Sequence, residues 1–240
     1  TNKGPEFDIA VDPLEGTNFV AKNKPGAFSI LAVTKKGNLF SAPDTYMEKI
    51  AIGPGYTKNL LDLDNTIEQN IELLSKEKGV KSNELTACIL LRPRHDKIVK
   101  SLKRMGVSIN FITDGDVAGA LLTAEKTSKV DIYMGIGGGP EGVLAAAALT
   151  CYGGQIQTRL VLNDKEKIKA KNMGIIDVNK KYNIDDMIKD DVIFCATAIT
   201  DSDILNGIKK EDNFLVTQSI ALHKDLNISE KILNKYKYEL

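Results

Sequence analysis

Strands and helices alternate without interruption in the middle of this sequence, and that alternation limits the fold more than any other feature. Residues 85–91 form an apolar run with the length of a buried strand, and apolar residues at helical spacing follow it. The same succession occurs twice more. The six segments, strand and helix in turn, are residues 85–91, 98–105, 107–111, 117–124, 130–136 and 143–149. Three strand–helix units in a row predict a parallel sheet with right-handed crossovers, and therefore an α/β fold.

The first third of the chain predicts a different kind of sheet. Apolar side chains alternate with acidic or small ones over residues 7–11, and Pro13 ends the pattern. Residues 27–33 and 46–52 also have the composition of extended chain. We therefore expect an antiparallel or mixed sheet here, which gives the first part of the chain an α+β character.

A helix that follows this sheet marks a domain boundary. Asn65 can cap its first turn, with Glu68 three residues later completing a capping box, and Gly79 ends it. The polar residues after it predict a linker near residue 82. We therefore expect a metal-binding first domain over residues 1–82 and an α/β substrate-binding domain over residues 83–240.

The last third of the chain is less regular. Its pattern predicts strands at residues 155–162, 192–199 and 214–222, a polar helix at 165–173, and a lysine-rich surface helix from Ser229 onward. We expect the C-terminal strands to return to the first sheet.

Charge and cysteine content exclude several classes of protein. The 240 residues carry 32 Lys and Arg against 32 Asp and Glu, so they offer no excess positive charge for nucleic acid or an anionic membrane. Three cysteines and two histidines are scattered without the spacing of a zinc site, which predicts buried free thiols. No signal peptide or bilayer-length apolar run is recognisable. These features predict a cytoplasmic protein.

The hexapeptide Asp-Pro-Leu-Glu-Gly-Thr at residues 12–17 is the first motif that can carry chemistry. Asp12 and Glu15 flank a turn, and two carboxylates this close repel each other unless a cation lies between them. Oxygen ligands suit magnesium or manganese. Gly16 would allow a phosphate near the backbone, and Thr17 offers a hydroxyl. A polar turn with Thr17 as a helix cap explains the same residues equally well.

Two of the four arginines of the chain follow the first central strand, in the sequence Arg-Pro-Arg-His-Asp at residues 92–96. The planar guanidinium groups of Arg92 and Arg94 suit a phosphate. Alternatively, they pair with surface acids and Asp96 only caps the next helix. His95 would serve as a cap or a supporting group rather than as a base.

Acidic residues also follow the second central strand. Asp114 and Asp116 could hold a metal or accept hydrogen bonds from sugar hydroxyl groups. Asp116 also precedes the apolar helical run that starts at Val117, so an N-cap role explains it as well. Both interpretations can hold, one for each acid.

Glycines follow the third central strand, at residues 137–142 (Gly-Gly-Gly-Pro-Glu-Gly). Glycines before a helix expose backbone N–H groups that bind anions. Neither a Walker loop nor a dinucleotide-binding fingerprint fits the spacing. Glu141 could be a further metal ligand, but its position alone favours a simple interaction with the helix dipole.

Taken together, these motifs resemble those of the class II fructose-1,6-bisphosphatases of the GlpX type, within the lithium-sensitive, metal-dependent sugar phosphatases. The hexapeptide resembles the metal motif of that superfamily, and Glu15 stands where many members have a second aspartate, which points to the class II branch. The resemblance extends over almost the whole chain, at residues 21–33, 46–53, 91–96, 112–121, 133–154 and 196–203.

This resemblance implies a layered α-β-α-β-α sandwich, with a mixed or antiparallel first sheet and a mainly parallel second one. It implies hydrolysis of the 1-phosphate of fructose 1,6-bisphosphate with Mn²⁺ or Mg²⁺ held by Asp12, Glu15 and Glu141. Thr17 would be catalytic, orienting the attacking water. The residues that would contact the sugar bisphosphate are Glu15, Gly16, Thr17, Tyr46, Arg92, Pro93, Arg94, Asp114, Gly115, Asp116 and Gly138.

The chain departs from the family in one respect. The family carries an N-terminal segment with further acidic ligands, in a Gly-Asp-Lys and a Gly-Glu-Gly-Glu stretch, and neither stretch occurs in this sequence. We therefore expect the first domain to lack its N-terminal part. Two alternatives stay open: a phosphatase for sedoheptulose 1,7-bisphosphate or another small sugar or inositol phosphate, and an inactive remnant that binds sugar phosphates. We also expect a homo-oligomer, a dimer or a tetramer.

Overall fold

The structure, a computed structural model, describes residues 3–238, which form twelve strands and seven α-helices. The strands are β1 (Phe7–Glu15), β2 (Phe28–Lys35), β3 (Tyr46–Ile52), β4 (Thr86–Leu90), β5 (Ser108–Ile112), β6 (Ile132–Gly138), β7 (Gln155–Val161), β8 (Lys181–Asn183), β9 (Ile193–Ala198), β10 (Lys209–Glu211), β11 (Phe214–His223) and β12 (Ile228–Lys237). The α-helices are α1 (Thr17–Ala21), α2 (Ile67–Lys78), α3 (Asp96–Arg104), α4 (Asp116–Leu121), α5 (Gly139–Tyr152), α6 (Asp164–Asn172) and α7 (Ile184–Met187). The predicted α/β fold is confirmed.

The first sheet is antiparallel, in agreement with the prediction. Its strands follow the order β1-β2-β9-β11-β10, and β12 also pairs with β11. Strands β9 and β11 come from the last third of the chain, yet β9 lies directly beside β2. The polypeptide therefore returns to its first sheet after completing the second.

The second sheet is mixed, and the prediction of a mainly parallel sheet is wrong in this respect. Its order is β5-β4-β6-β3-β7-β8. Strands β4, β5 and β6 are parallel, as the three strand–helix units predict, but β3 is antiparallel to β6 and β7, and β7 is antiparallel to β8. Strand β3 precedes the parallel units and inserts between β6 and β7. The two sheets therefore do not divide at residue 82.

Helix α5 is the central element between the two sheets. Its residues 143–149 are all at most 2% exposed, because a helix that contacts a sheet on each side is apolar around its whole circumference. Four consecutive alanines, Ala145–Ala148, allow both sheets to approach closely. Helices α2 and α3 cover the other face of the second sheet, where Ile71, Leu74 and Leu102 are fully buried.

The C-terminal residues form a strand rather than the predicted surface helix. Residues 228–237 pair along their whole length with β11, from His223↔Ile228 to Phe214↔Lys237. Lysines at the edge of a sheet discourage further strand pairing, so the lysine content that suggested a solvated helix is equally compatible with an edge strand.

Two further expectations were tested in the described part of the chain. The cysteines Cys88, Cys151 and Cys195 are free, as predicted. Cys88 is fully buried, but Cys151 and Cys195 are only half-buried, so the prediction of burial is wrong for these two. Within residues 3–238, no helix has both the length and the apolar character that crossing a bilayer requires.

Helix α2 begins one residue later than the sequence pattern predicts. The hydroxyl of Thr66 accepts a hydrogen bond from the Gln69 N–H at 3.1 Å, and the Gln69 side chain accepts one from the Thr66 N–H at 2.8 Å. The predicted cap at Asn65 with Glu68 is therefore wrong. The capping box is formed by the next pair of residues instead.

We expect Thr66→Ala to lower the free energy of unfolding by about 1 kcal/mol, because it leaves an N-terminal amide of α2 without its partner. The matched variant Asn65→Ala removes only a long hydrogen bond of 3.4 Å to Asn70, and should cost less than about 0.5 kcal/mol. Urea unfolding of both variants measures the difference. An equal loss in the two variants would contradict this assignment of the cap.

Candidate active site

The ends of five strands meet around one cavity of about 380 Å³. Strands β4, β5 and β6 are parallel, so their carboxyl ends lie at the same edge of the second sheet, where ligands bind in such folds. Because β3 is antiparallel to β6, its first residue reaches that edge, and the end of β1 approaches from the first sheet. The lining residues are Asp12, Leu14, Glu15, Gly16, Thr17, Tyr46, Leu90, Arg92, Arg94, Asp114, Gly115, Asp116, Gly137, Gly138 and Glu141. Among the residues expected at the site, Pro93 does not line this cavity.

A β-bulge brings Asp12 and Glu15 to the same cavity. Residues three apart on a regular strand point to opposite faces of the sheet. In β1, Asp12 pairs with Ile30 and Glu15 pairs with Phe28, so Pro13 and Leu14 lie opposite the single residue Ser29. The extra residue reverses the alternation. Leu14 N–H also donates to Asp12 Oδ1 at 3.1 Å, which holds the bulge. The sequence predicted a turn at Pro13, whereas the strand continues through it.

Gly16 has a left-handed conformation (φ +78°), which L-residues other than glycine rarely adopt. This conformation allows α1 to start at Thr17 directly after the strand. The N-cap of α1 is Gly16, and no side chain of residues 3–238 caps this helix, so the interpretation of Thr17 as a helix cap is wrong. Thr17 is instead an exposed residue of the first turn, and it lines the cavity.

Glu15 is 4% exposed and lies against the first turn of α4. Its two carboxylate oxygens accept hydrogen bonds from the N–H groups of Val117 and Ala118, the latter at 3.3 Å. Burial raises the pKa of Glu15 well above its usual range, the charges of Asp116 and Asp12 act in the same direction, and the two amides act against them. Glu15 therefore connects the first sheet to the helix that follows β5.

Glu141 occupies the first turn of α5 and also lines the cavity. Its helix-dipole role and its place in the site are thus compatible. Burial raises the pKa of Glu141, Lys49 opposes this increase, and Asp116 and Asp12 add to it. A Cβ atom on Gly138 would lie 1.9 Å from Glu141 Oε2, so the glycine makes room for the carboxylate.

Asp12, Glu15 and Glu141 offer carboxylate oxygens, the ligands that a hard divalent cation prefers. The Asp12 charge raises the pKa of the other two carboxyl groups, so the three repel one another when all are ionised. They are not already assembled into a coordination sphere. Within residues 3–238, no three Asp, Glu, His or Cys side chains are grouped so that they could hold a metal ion. The oxygens of Glu15 face α4 instead. The three-ligand set stays a prediction.

The two site arginines are held by backbone carbonyl groups rather than by acids. Arg92 Nη1 donates to the carbonyl oxygens of Leu91 and Thr113 at 3.0 and 2.8 Å, and Arg94 donates twice to that of Ile136, at 3.0 and 2.6 Å. In the described part of the chain, neither arginine forms an ion pair. Pairing with surface acids is therefore wrong, and both positive charges face the cavity uncompensated.

Tyr46 and Pro93 help to place the two arginines, although Pro93 does not line the cavity itself. The Arg94 guanidinium lies 4.8 Å from the centre of the Tyr46 ring, in a cation–π contact that orients both side chains. Pro93 starts the 3₁₀ turn Pro93–His95. It acts through the backbone, because its fixed φ favours that turn.

Asp114 and Asp116 have different environments at the end of β5. Asp114 Oδ2 accepts hydrogen bonds from the backbone and side-chain N–H groups of Asn18, at 3.3 and 3.2 Å. Asp116 is 9% exposed, and its oxygens accept from the Lys49 ammonium and the Tyr133 hydroxyl. Asp116 does not cap α4, whose N-cap is Gly115, so the cap interpretation is wrong.

Lys49 and Tyr133 contact Asp116 from outside the cavity, and neither contact was predicted. One signal for Lys49 was present in the sequence, since it is a lysine inside the apolar segment of β3. A charged side chain in a buried strand needs a buried partner. The sequence does not indicate which acid that partner is.

The His95 ring forms two hydrogen bonds to the backbone that hold the segment carrying Arg92 and Arg94 in place. Its Nε2 accepts a hydrogen bond from the Ile136 N–H at 2.8 Å, so Nδ1 carries the proton and donates to the Leu90 carbonyl at 2.7 Å. His95 is 1% exposed. Burial lowers its pKa, the Arg94 charge acts in the same direction, and the Leu90 carbonyl and Asp116 act against it. His95 is thus a neutral supporting group, as predicted.

This environment predicts a pH-dependent stability. The folded state binds the His95 proton more weakly than the unfolded chain does, where the pKa is about 6.5. The contribution of neutral His95 is therefore fully present above that pKa and is lost as the pH falls below it, through the lower pKa of the folded state. Urea unfolding between pH 8 and pH 5.5 should show a stability loss that is smaller in His95→Gln. The control variant His223→Gln, at the other histidine, should show the same stability loss between pH 8 and pH 5.5 as the wild-type protein. An unchanged pH slope in His95→Gln would contradict the assignment.

Comparisons with known proteins identify the family of this chain. A family model described as bacterial fructose-1,6-bisphosphatase, glpX-encoded, matches residues 1–236. The chain is 38% identical over 237 residues to fructose-1,6-bisphosphatase 1 class 2 of Escherichia coli strain K12, which covers 92% of this chain and 70% of that protein. Fructose-1,6-bisphosphatase class 2 of Escherichia coli O6:H1 and of Shigella flexneri match with the same identity and coverage. The chain therefore belongs to the family of bacterial class II fructose-1,6-bisphosphatases.

Proposed function

We propose that this protein removes the 1-phosphate of fructose 1,6-bisphosphate by hydrolysis, with a divalent cation, and releases fructose 6-phosphate and inorganic phosphate. The family supports the reaction, and one structural observation supports its location. A single cavity combines the carboxylates Asp12, Glu15 and Glu141 with two arginines that have no acidic partner among the described residues. A sugar with two phosphates can place one phosphate at the arginines and the other at a cation held by the carboxylates.

The arginine half of the cavity is the better match for the phosphate that is not cleaved. Arg92 and Arg94 each retain N–H donors beyond those that bind backbone carbonyls. Binding energy from a remote phosphate can orient the reacting one. Tyr46, which stacks with Arg94, would border the sugar.

The acidic half is the better match for the cation and the reacting phosphate. Asp12 and Glu141 would hold Mn²⁺ or Mg²⁺, together with Glu15 if its carboxylate is released from the amides of α4. The cation would supply positive charge to the phosphoryl and leaving oxygens. The Thr17 hydroxyl, exposed at the rim, would hold the attacking water by a hydrogen bond and so fix its direction of approach.

The sugar would lie between these halves, along the loop that follows β5. Asp114 has one carboxylate oxygen engaged by Asn18, and it would accept a hydrogen bond from a sugar hydroxyl through the other. Gly115 has φ +81° and Gly138 precedes α5, so both bring backbone close to the cavity. Asp116 is buried at the base of the cavity and would face the sugar from below.

A related substrate is the second candidate. Sedoheptulose 1,7-bisphosphate also carries two phosphates, so the paired arginines suit it as well, whereas an inositol monophosphate would leave one charged group without a partner. A sugar-phosphate-binding protein without turnover would use the same contacts.

We further propose a cytoplasmic location and a homodimer or homotetramer, in keeping with the balanced charge and free thiols.

The direct test is phosphate release from fructose 1,6-bisphosphate by the purified protein, with Mn²⁺, with Mg²⁺ and with a chelator. We expect release with at least one cation and none with the chelator. Sedoheptulose 1,7-bisphosphate and inositol 1-phosphate, measured in parallel, rank the substrates. Substrate binding in calorimetry without turnover under any cation would reject the hydrolase and favour the binding protein.

We expect Glu141→Gln to lower kcat/KM by about 100-fold or more, because a neutral amide weakens both cation binding and the electrostatic stabilisation of the transition state. The half-saturating Mn²⁺ concentration should rise as well. Lys36→Gln is the matched control, since Lys36 pairs with exposed Glu6 at 2.9 Å, and such surface pairs contribute little. Equal activities of the two variants would contradict the metal assignment.

A further inference from the structure

Lys49 is a buried cation that the reaction outlined above does not use. It lies in the middle of β3, between Gly135 of β6 and Thr158 of β7, and it is only 1% exposed. An apolar side chain of similar length would fill this space without bringing a charge into the interior. Replacing buried ion pairs by apolar residues is often neutral or even stabilising. Stability alone therefore does not account for a lysine here.

The contacts of Lys49 lead to the base of the cavity. Its ammonium donates to the Gly138 carbonyl at 2.6 Å and to Asp116 Oδ2, while the Tyr133 hydroxyl donates to Oδ1 of the same aspartate. A Cβ atom on Gly142 would lie 2.8 Å from Lys49 Cε, so the lysine stem has little freedom to move.

These contacts connect the end of β6 to the start of α4 through the Lys49 ammonium. The Gly138 carbonyl belongs to the end of β6, which is fixed by its pairing with β3, so it anchors the ammonium. The ammonium then holds the carboxylate of Asp116, the first residue of α4. Without Lys49, the Asp116 charge would act on the carboxylates of Glu15 and Glu141 without its ion-pair partner, and repulsion would favour its displacement.

We propose that Lys49 is a positioning residue for substrate binding, which fixes the Asp116 carboxylate against the cavity in the orientation that receives the sugar. This proposal rests on the proposed function, because it assumes that a phosphorylated sugar lies against Asp116. It goes beyond that function by assigning a role to a residue that does not line the cavity.

The first test compares Lys49→Met with Tyr133→Phe, which removes the other hydrogen bond to the same carboxylate but leaves the ion pair. We expect Lys49→Met to raise KM for fructose 1,6-bisphosphate by about tenfold or more and to change kcat by less than about threefold. Tyr133→Phe should change KM by less than about threefold. A purely structural role would instead lower the amount of active enzyme and leave KM unchanged, which would overturn the proposal.

The second test removes the charge on which Lys49 acts. If Lys49 works through Asp116, then Lys49→Met in the Asp116→Asn background should change KM by less than about threefold relative to Asp116→Asn alone. The double variant removes both members of the ion pair and so leaves neither charge buried alone, while Asp116→Asn keeps the Lys49 bond to the Gly138 carbonyl. The comparison therefore does not require that Lys49→Met alone folds. A further increase of about tenfold in the double variant would show that Lys49 acts independently of Asp116.

A third measurement separates this proposal from the function on which it rests. Calorimetry with fructose 6-phosphate, without a cation, measures sugar-phosphate binding when no turnover occurs. Weaker binding by Lys49→Met than by Tyr133→Phe, by about tenfold, supports the positioning role even if the wild-type protein hydrolyses nothing. Equal binding by the two variants overturns the role, whether or not the wild-type protein is an active phosphatase.

Discussion

Negative charge concentrated in a partly buried cavity is the constraint on which the rest of this structure depends. Asp12, Glu15, Asp116 and Glu141 surround a space of about 380 Å³, and the pKa values of Glu15 and Glu141 rise because burial and the neighbouring acids disfavour their charged forms. The protein offsets this repulsion with the Lys49 ammonium and two helix amides, and the guanidinium groups of Arg92 and Arg94 line the same cavity. A cation brought by the solvent would meet an environment that already favours positive charge.

The central helix α5 sets the separation of the two sheets and so the width of this cavity. Its small side chains permit close approach on both sides, and its first turn carries Glu141. The end of β1 can therefore reach the loops that follow β4, β5 and β6, although it belongs to the other sheet. The bulge at Pro13 then presents two acids of β1 to the cavity instead of one. Core packing and site chemistry thus share the same elements.

The sequence predicts the parts of this arrangement that depend on local pattern. The three strand–helix units imply that polar residues after 91, 113 and 136 meet at one sheet edge, and the structure brings them there. Pairings between distant segments leave no such local signal. The antiparallel insertion of β3 was missed for this reason. The strand at Ile228–Lys237 forms a local hairpin with β11, and it was missed because its lysines suggested a solvated helix. Lys49 was missed because a buried partner can be identified only once the sheet order is known.

Crystals of the protein grown with Mn²⁺ would test the central claim most directly, by anomalous diffraction at the manganese absorption edge. The account predicts an anomalous peak inside the cavity, bonded to carboxylate oxygens of Asp12 and Glu141, with Lys49 still paired to Asp116. The absence of a peak at saturating Mn²⁺, or a peak bound only outside this cavity, would contradict it.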